Sequence, residues 1–174
     1  MRYIISVLLI VISSIGAFAQ RLAYVDSDYI LKHVPEYSSA QKQLDGLSEQ
    51  WQKEIDKKFI EVETLNKAYL ADQVLLTDEM RKKREEEIQI KEKEATDLQQ
   101  KRFGFEGELY QQRVKLIKPI QEKIGKAIEE YAARDGLDII LDKASVTMLF
   151  ARPSYDKSND IITRLGYKPG SFAK

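Results

Sequence analysis

The chain has 174 residues, and its 28 Lys and Arg residues balance its 28 Asp and Glu residues, so the formal net charge is zero. A neutral chain has no net field that would recruit nucleic acid or an anionic membrane. The chain has no cysteine, which excludes disulfides and thiol chemistry. Charged residues make up 32% of the sequence, a composition that favours long exposed helices over a large core.

The first residues have the features of an export signal. A basic Met1-Arg2 start precedes an apolar run over residues 4–15, and Ala17-Phe18-Ala19 fits a signal-peptidase site. A membrane anchor is the alternative, but the run is shorter than the roughly 20 residues that a span needs. We predict a signal peptide over residues 1–19 and no stable membrane span after its cleavage.

The mature chain is predicted to begin with a short strand and a short helix. Residues 21–25 are rich in β-forming side chains, and Asp26 or Ser27 can cap a helix that ends before Pro35. Pro35 suits the first turn of a new helix, where its missing N–H is not needed.

The new helix carries apolar residues at the alternating spacing of three and four that is typical of a coiled coil. They extend to about Asp72 and comprise Tyr37, Ala40, Leu44, Leu47, Trp51, Ile55, Phe59, Val62, Leu65 or Asn66, and Tyr69. A break follows, and Thr77 or Asp78 can cap the next helix.

The second helix has a sparser apolar seam, made of Met80, Ile88, Ala95, Leu98, Phe105 and Leu109. Two helices joined by a short turn most simply form an antiparallel hairpin, here over residues 36–109. The alternative is one continuous rod assembled from several chains.

The rest of the chain is predicted to form a small body with residues 20–35. A dense apolar stripe runs through Pro119, which should kink its helix, and Gly136 caps the end. Strands are predicted over residues 137–141 and 146–150, before a short closing helix. Three short strands cannot close a core alone, so we expect association of several copies through Val25, Ile139, Ile140, Leu141, Val146 and Leu149.

Two groups of residues carry a resemblance to a known family. The first begins with residues 22–26 and continues through 35–37 and 40–44; the second comprises residues 118–124, Ala127, Ile128, Gly136 and 140–142. In this order, over about residues 22–166, the chain resembles the Skp/OmpH family of periplasmic chaperones. The resemblance implies a homotrimer with a β-barrel body and helical tentacles, which holds unfolded outer-membrane proteins without ATP.

The predicted fold is therefore α+β. An antiparallel helical hairpin, residues 36–109, projects from a small β body, residues 20–35 and 110–174, that trimerisation completes. The predicted function is a periplasmic holdase that prevents aggregation of outer-membrane proteins in transit. The alternative is a structural coiled-coil adaptor of a cell-envelope complex, and an exported enzyme ranks third.

No catalytic, cofactor or metal site is predicted. Gly125-Lys126 lacks the other residues of a P-loop. His33 is expected to be an ordinary surface or boundary residue, and Asp26 and Asp28 are better explained by helix capping than by metal binding. No nucleophile and base can be paired.

Gly104 and Gly107 interrupt a helical pattern, so with Pro119 they are predicted to form a hinge. A nucleotide-binding loop at this GxxG string is the less favoured interpretation.

Client contacts are predicted near the turn between the two long helices. The candidate residues are Tyr69, Val74, Leu75, Leu76, Met80 and Ile90. Exposed apolar side chains among charges suit weak, adaptable binding. The equally weighted alternative is that they pack against one another to close the turn. Contact with lipid or lipopolysaccharide is left open by the sequence.

Overall fold

The computed structural model describes residues 21–173 of the chain, so the predicted signal peptide lies outside the described residues. The elements in chain order are β1 (Leu22–Val25), α1 (Ser27–Leu31), α2 (Pro35–Asp72), a 3-10 turn (Gln73–Leu75), α3 (Asp78–Phe103), α4 (Glu108–Asp135), β2 (Ile139–Asp142), a 3-10 turn (Pro153–Tyr155) and α5 (Ser158–Arg164). Among these residues, no helix is long and apolar enough to cross a membrane.

The described chain divides into two compact units. The first comprises residues 21–31 and 125–171, and the second comprises residues 32–124 and 172–173. The domain boundaries expected for the helical hairpin, at residues 36 and 109, stay a prediction.

In the first unit, β1 and β2 form a parallel pair in which Leu22 lies opposite Ile139 and Val25 opposite Asp142. Tyr24 makes a further bridge to Asp156. Two strands are too few for a stable isolated sheet, so the unit depends on its apolar packing. The buried residues are Ala23, Tyr24, Val25, Ile30, Leu31, Ala127, Tyr131, Ile161 and Ile162.

Helix ends in this unit follow the predicted caps. The Asp26 carboxylate accepts the backbone N–H of Tyr29 at 2.9 Å and so caps α1. Gly136 ends α4 at a φ of 62°, and the N–H of Leu137 donates to the carbonyl of Ala132 at 2.9 Å. That bond closes a Schellman motif, for which glycine is the favoured residue.

The strand predictions of this unit need two corrections. The predicted strand over residues 137–141 begins later, at Ile139, and is only half-buried. The predicted strand over residues 146–150 is wrong, because that run is irregular in the described chain. A β-prone sequence becomes a strand only beside another strand edge, and within residues 21–173 no strand pairs with this run.

In the second unit, α2 and α3 form the predicted antiparallel hairpin, and the continuous rod is excluded for this chain. Two ion pairs show how the helices are aligned: Lys58 lies 3.2 Å from Glu94, and Lys91 lies 3.1 Å from Glu61. The buried residues of the hairpin seam are Ala40, Leu44, Trp51, Ile55, Val62, Ile88 and Ala95. Of the predicted seam, Phe59 and Met80 are exposed, at 39% and 51%, so the seam prediction is wrong at these two positions.

The ends of the two hairpin helices match the prediction at the turn and differ at the far end. Helix α3 begins after Thr77, whose side chain accepts the N–H of Met80 at 3.3 Å. It ends at Phe103, so the predicted seam residue Phe105 lies outside it. Helix α4 continues through Pro119.

Candidate functional site

The turn between α2 and α3 presents apolar side chains that the protein itself does not cover. Val74 and Leu75 are 87% and 83% exposed, so they do not pack against each other to close the turn. Residues 73–75 form a 3-10 turn, which holds these neighbours on the outside of the bend. We call Tyr69, Val74, Leu75, Leu76 and Met80 the tip surface.

Beside the tip surface, residues of both helices line a cleft of about 470 Å³. Its lining residues are Leu65, Ala68, Tyr69, Asp72, Leu76, Met80, Lys83, Arg84, Glu87 and Ile88. The cleft therefore combines an apolar wall with charges of both signs. Ile90, the sixth predicted client residue, is exposed but does not line the cleft.

Tyr69 ties the two sides of the cleft together. Its hydroxyl donates to the Glu85 carboxylate at 2.5 Å and accepts from the Gln73 amide at 3.2 Å. The hydrogen bond to Glu85 raises the pKa of Tyr69 above its ordinary value of 10.0. A tyrosine is protonated at neutral pH in any case, so the hydroxyl can donate there. The bond joins α2 to α3 and fixes one wall of the cleft.

Some of the charges at the cleft are paired locally. Arg84 and Glu87, which both line it, lie 3.1 Å apart, and outside the lining Arg81 lies 3.5 Å from Asp78. Exposed pairs of this kind contribute little to stability. Their mixed signs give the cleft no strong preference for an anionic or a cationic ligand.

A second cluster lies at the end of α3 and joins three helical segments. The guanidinium of Arg102 stacks over the Trp51 ring at 4.7 Å, lies 3.2 Å from Glu54 and hydrogen-bonds Glu108. Phe103 packs edge-on against Trp51 at 6.3 Å. We call Trp51, Glu54, Arg102, Phe103 and Glu108 the junction cluster.

Sequence reasoning missed the junction cluster. The available signal was Arg102 at a seam position, where a charged residue needs a partner or a route to water. The partner Glu54 is distant in sequence, so periodicity alone does not identify it. The Nε of Arg102 is buried and has no hydrogen bond within the described residues. An unpaired buried donor is costly, so the stability of the junction cluster depends on how well its other hydrogen bonds are formed.

Acid is expected to loosen the junction cluster. The hydrogen bond from Arg102 holds the pKa of Glu108 below its ordinary value of 4.5. Because the pKa of Glu108 is lower in the folded than in the unfolded protein, its ionised carboxylate stabilises the fold at pH values above its unfolded-state pKa. This stabilisation is lost as the pH falls through its folded-state pKa. Urea unfolding followed by Trp51 fluorescence should therefore show a lower midpoint near pH 3 than near pH 6.

The matched variant for this titration is Glu108→Gln, which removes the titrating group. It should unfold earlier than the unsubstituted protein at pH 6 and should lose less of its stability on acidification. An identical pH dependence in both proteins would show that Glu108 contributes nothing to it.

Asp26 and Asp142, two acidic residues of the first unit, have structural roles. Asp26 caps α1, while Asp142 accepts the Ser27 hydroxyl at 2.7 Å and the Ala144 N–H at 3.1 Å. Burial acts to raise the pKa of Asp142, but these hydrogen bonds, led by that of Ser27, leave it lowered. Across residues 21–173, no group of His, Cys, Asp and Glu side chains is placed to hold a metal ion.

His33 differs from its predicted surface or boundary position, because only 2% of it is exposed. Phe172 covers it, with the two ring centroids 4.8 Å apart. The N–H of Ala173 donates to the carbonyl of Lys32 at 2.9 Å. The end of the chain thus packs on this turn, a long-range contact that the local sequence does not encode.

The residues predicted to join copies of the chain differ in how much of each is exposed. Val25 is buried within the first unit, whereas Ile140 and Leu141 are half-buried and Ile139 and Val146 are more exposed. Leu149 is 96% exposed, and the adjacent Phe150 is 82% exposed. The irregular run over residues 146–150 therefore leaves apolar surface open.

Comparisons with known proteins bear on the family and the fold of the chain. The family model for outer membrane proteins (OmpH-like) matches residues 21–165. A solved structure of a proposed outer membrane chaperone (OmpH-like) from Caulobacter crescentus CB15 is 15% identical, with a TM-score of 0.65 over 91% of this chain and 92% of that chain. At 15% identity, the similarity to this structure shows a shared fold only. A comparison with curated proteins found no match.

Proposed function

The chain belongs to the family of OmpH-like outer membrane proteins, and we propose that it is a chaperone of the holdase type. It would bind unfolded outer-membrane proteins in the periplasm, without ATP, and keep their strands from pairing before assembly. Family membership supports the chaperone role, and the client class and location follow from the resemblance.

The observation that carries the proposal is the tip surface beside its cleft. Val74 and Leu75 are almost fully exposed, and Tyr69, Leu76 and Met80 line a cleft with polar and charged edges. A flexible Met and exposed aliphatic groups adapt to many sequences. Contacts of this kind are weak one by one, which suits a client that must later be released.

Several copies acting together would bind more strongly than one. We propose a homotrimer joined through the first unit, with residues 139–142 and 146–150 in the contact. The exposed Leu149 and Phe150 support this, because apolar side chains in a row mark an interaction surface. The small two-stranded sheet supports it as well, since it gains from further strands.

The decisive experiment measures aggregation directly. An outer-membrane β-barrel protein is diluted from urea into buffer with the purified mature chain, and light scattering is followed over time. We expect suppression at about one trimer per client, unchanged by ATP. Unaltered scattering at this ratio would reject the holdase and favour the adaptor, for which pull-down from envelope extract should yield one folded partner.

A further inference from the structure

The break between α3 and α4, residues 104–107, has a backbone that requires glycine at two positions. A Cβ on Gly104 would lie 2.3 Å from the carbonyl oxygen of Gln100, and one on Gly107 would lie 2.9 Å from that of Gly104. Both contacts are too short for any larger residue. Glu106, between them, has a φ of 53°, the left-handed region that non-glycine residues rarely occupy.

Contacts on both sides hold this break in place. The junction cluster fixes Arg102 on one side and Glu108 on the other, and Lys101 lies 3.5 Å from Glu108. The Gln111 amide donates to the carbonyl of Glu106 at 3.1 Å. The left-handed residue is therefore stabilised by its surroundings, as such conformations at functional sites usually are.

The consequence of this backbone is the position of Phe105. Its side chain is 97% exposed, the highest value among the large apolar residues of the described chain. Its near neighbours Glu106, Glu108 and Lys101 are charged. A large apolar group is thus presented beside charged residues, by a loop whose shape is held from both ends.

We propose that Phe105 is a contact point for apolar segments of unfolded client proteins, separate from the tip surface. This inference rests on the proposed holdase function. An aromatic side chain offers a large contact area and loses little conformational entropy on binding. A loop that already holds Phe105 in one position reduces this entropy cost further, because the loop does not have to become ordered when a client binds.

The extent of the surface favours a client over a second copy of the chain. One aromatic side chain buries roughly 150–250 Å², whereas a stable subunit interface needs about 1,200–2,000 Å². The charged neighbours of Phe105 do not extend the apolar surface. A single apolar group of this size suits weak and reversible contact with a mobile chain.

The test compares Phe105→Ala with Ile60→Ala, a change at an apolar residue of α2 that is 59% exposed. Both are measured against the same urea-unfolded outer-membrane β-barrel protein. We expect Phe105→Ala to weaken the Kd about three- to tenfold, with Ile60→Ala nearly neutral and both melting temperatures unchanged. Equal affinities for Phe105→Ala and the unsubstituted chain would overturn the inference. Failure of the unsubstituted chain to bind would instead overturn the holdase proposal.

A second measurement distinguishes a client contact from a subunit contact. The chain has no cysteine, so Phe105→Cys provides a single site for an environment-sensitive dye. The dye should report water in the free protein and an apolar environment once the unfolded client is added. A dye already shielded before the client is added, at concentrations where the chain is oligomeric, would assign Phe105 to a contact between copies and contradict the proposal.

Discussion

Ile55→Ala is expected to lower the free energy of unfolding by about 2–5 kcal/mol. Ile55 is 0% exposed in the hairpin seam, and a two-helix hairpin has little material that can relax into the space left by the missing atoms. Both the lost apolar burial and the residual cavity therefore count against the variant. Urea unfolding at neutral pH measures the change.

The fluorescence of Trp51 gives a local readout of this unfolding. It is the only tryptophan of the chain, it is buried, and it lies one helical turn from Ile55. The matched control is Ile60→Ala, which removes the same atoms from an exposed position of the same helix and should change stability by no more than about 0.5 kcal/mol. Equal losses in the two variants would show that the hairpin seam does not stabilise the protein.

Most of the helical architecture could be predicted because its signals are local. Pro35 begins α2, the alternation of three and four residues runs to Asp72, and Thr77 caps α3. Each signal depends on neighbours within about one turn of helix, so the sequence alone carries it. Gly136 belongs to the same class, because a positive φ at a helix end selects glycine.

The features that escaped prediction depend on contacts between distant parts of the chain. Lys91 and Arg102 occupy seam positions, and their partners Glu61 and Glu54 lie on the other helix. Which charges meet is set by the alignment of the two helices, which follows from the length and shape of the turn. The helix end at Phe103 was missed for a different reason, because the local apolar seam pattern continues past it.

The run over residues 146–150 shows the limit of β-propensity. Its sequence is apolar and β-prone, yet in the described chain it has no strand beside it. Whether a second copy supplies that neighbour stays a prediction. The hinge roles of Gly104, Gly107 and Pro119 also stay a prediction, and the contacts that hold residues 104–107 in place count against bending at the two glycines. At the tip surface, the sequence left exposure and mutual packing equally open. The structure exposes Val74 and Leu75 because the short turn has too few neighbours to cover them, and client binding there stays a prediction.

A variant that lacks residues 64–90, with a short glycine-rich turn in their place, is expected to lose most client capture, with a Kd more than about tenfold weaker. The deletion removes the cleft and all six predicted client residues of the hairpin. It leaves the Lys58–Glu94 and Glu61–Lys91 ion pairs, the buried Ile55 and the junction cluster. The shortened hairpin therefore keeps the contacts that align its helices.

Sedimentation of this variant tests a second expectation, that it keeps the oligomeric state of the unsubstituted chain. None of the deleted residues belongs to the first unit, where we place the contact between copies. The milder control is Val74→Ser combined with Leu75→Ser, which keeps the hairpin length and should weaken capture by a smaller factor. Full capture by the deletion variant would place the client site elsewhere. The deletion variant still contains Phe105. If adding Phe105→Ala to it removes residual binding, the loss measures the contribution of Phe105 to client affinity.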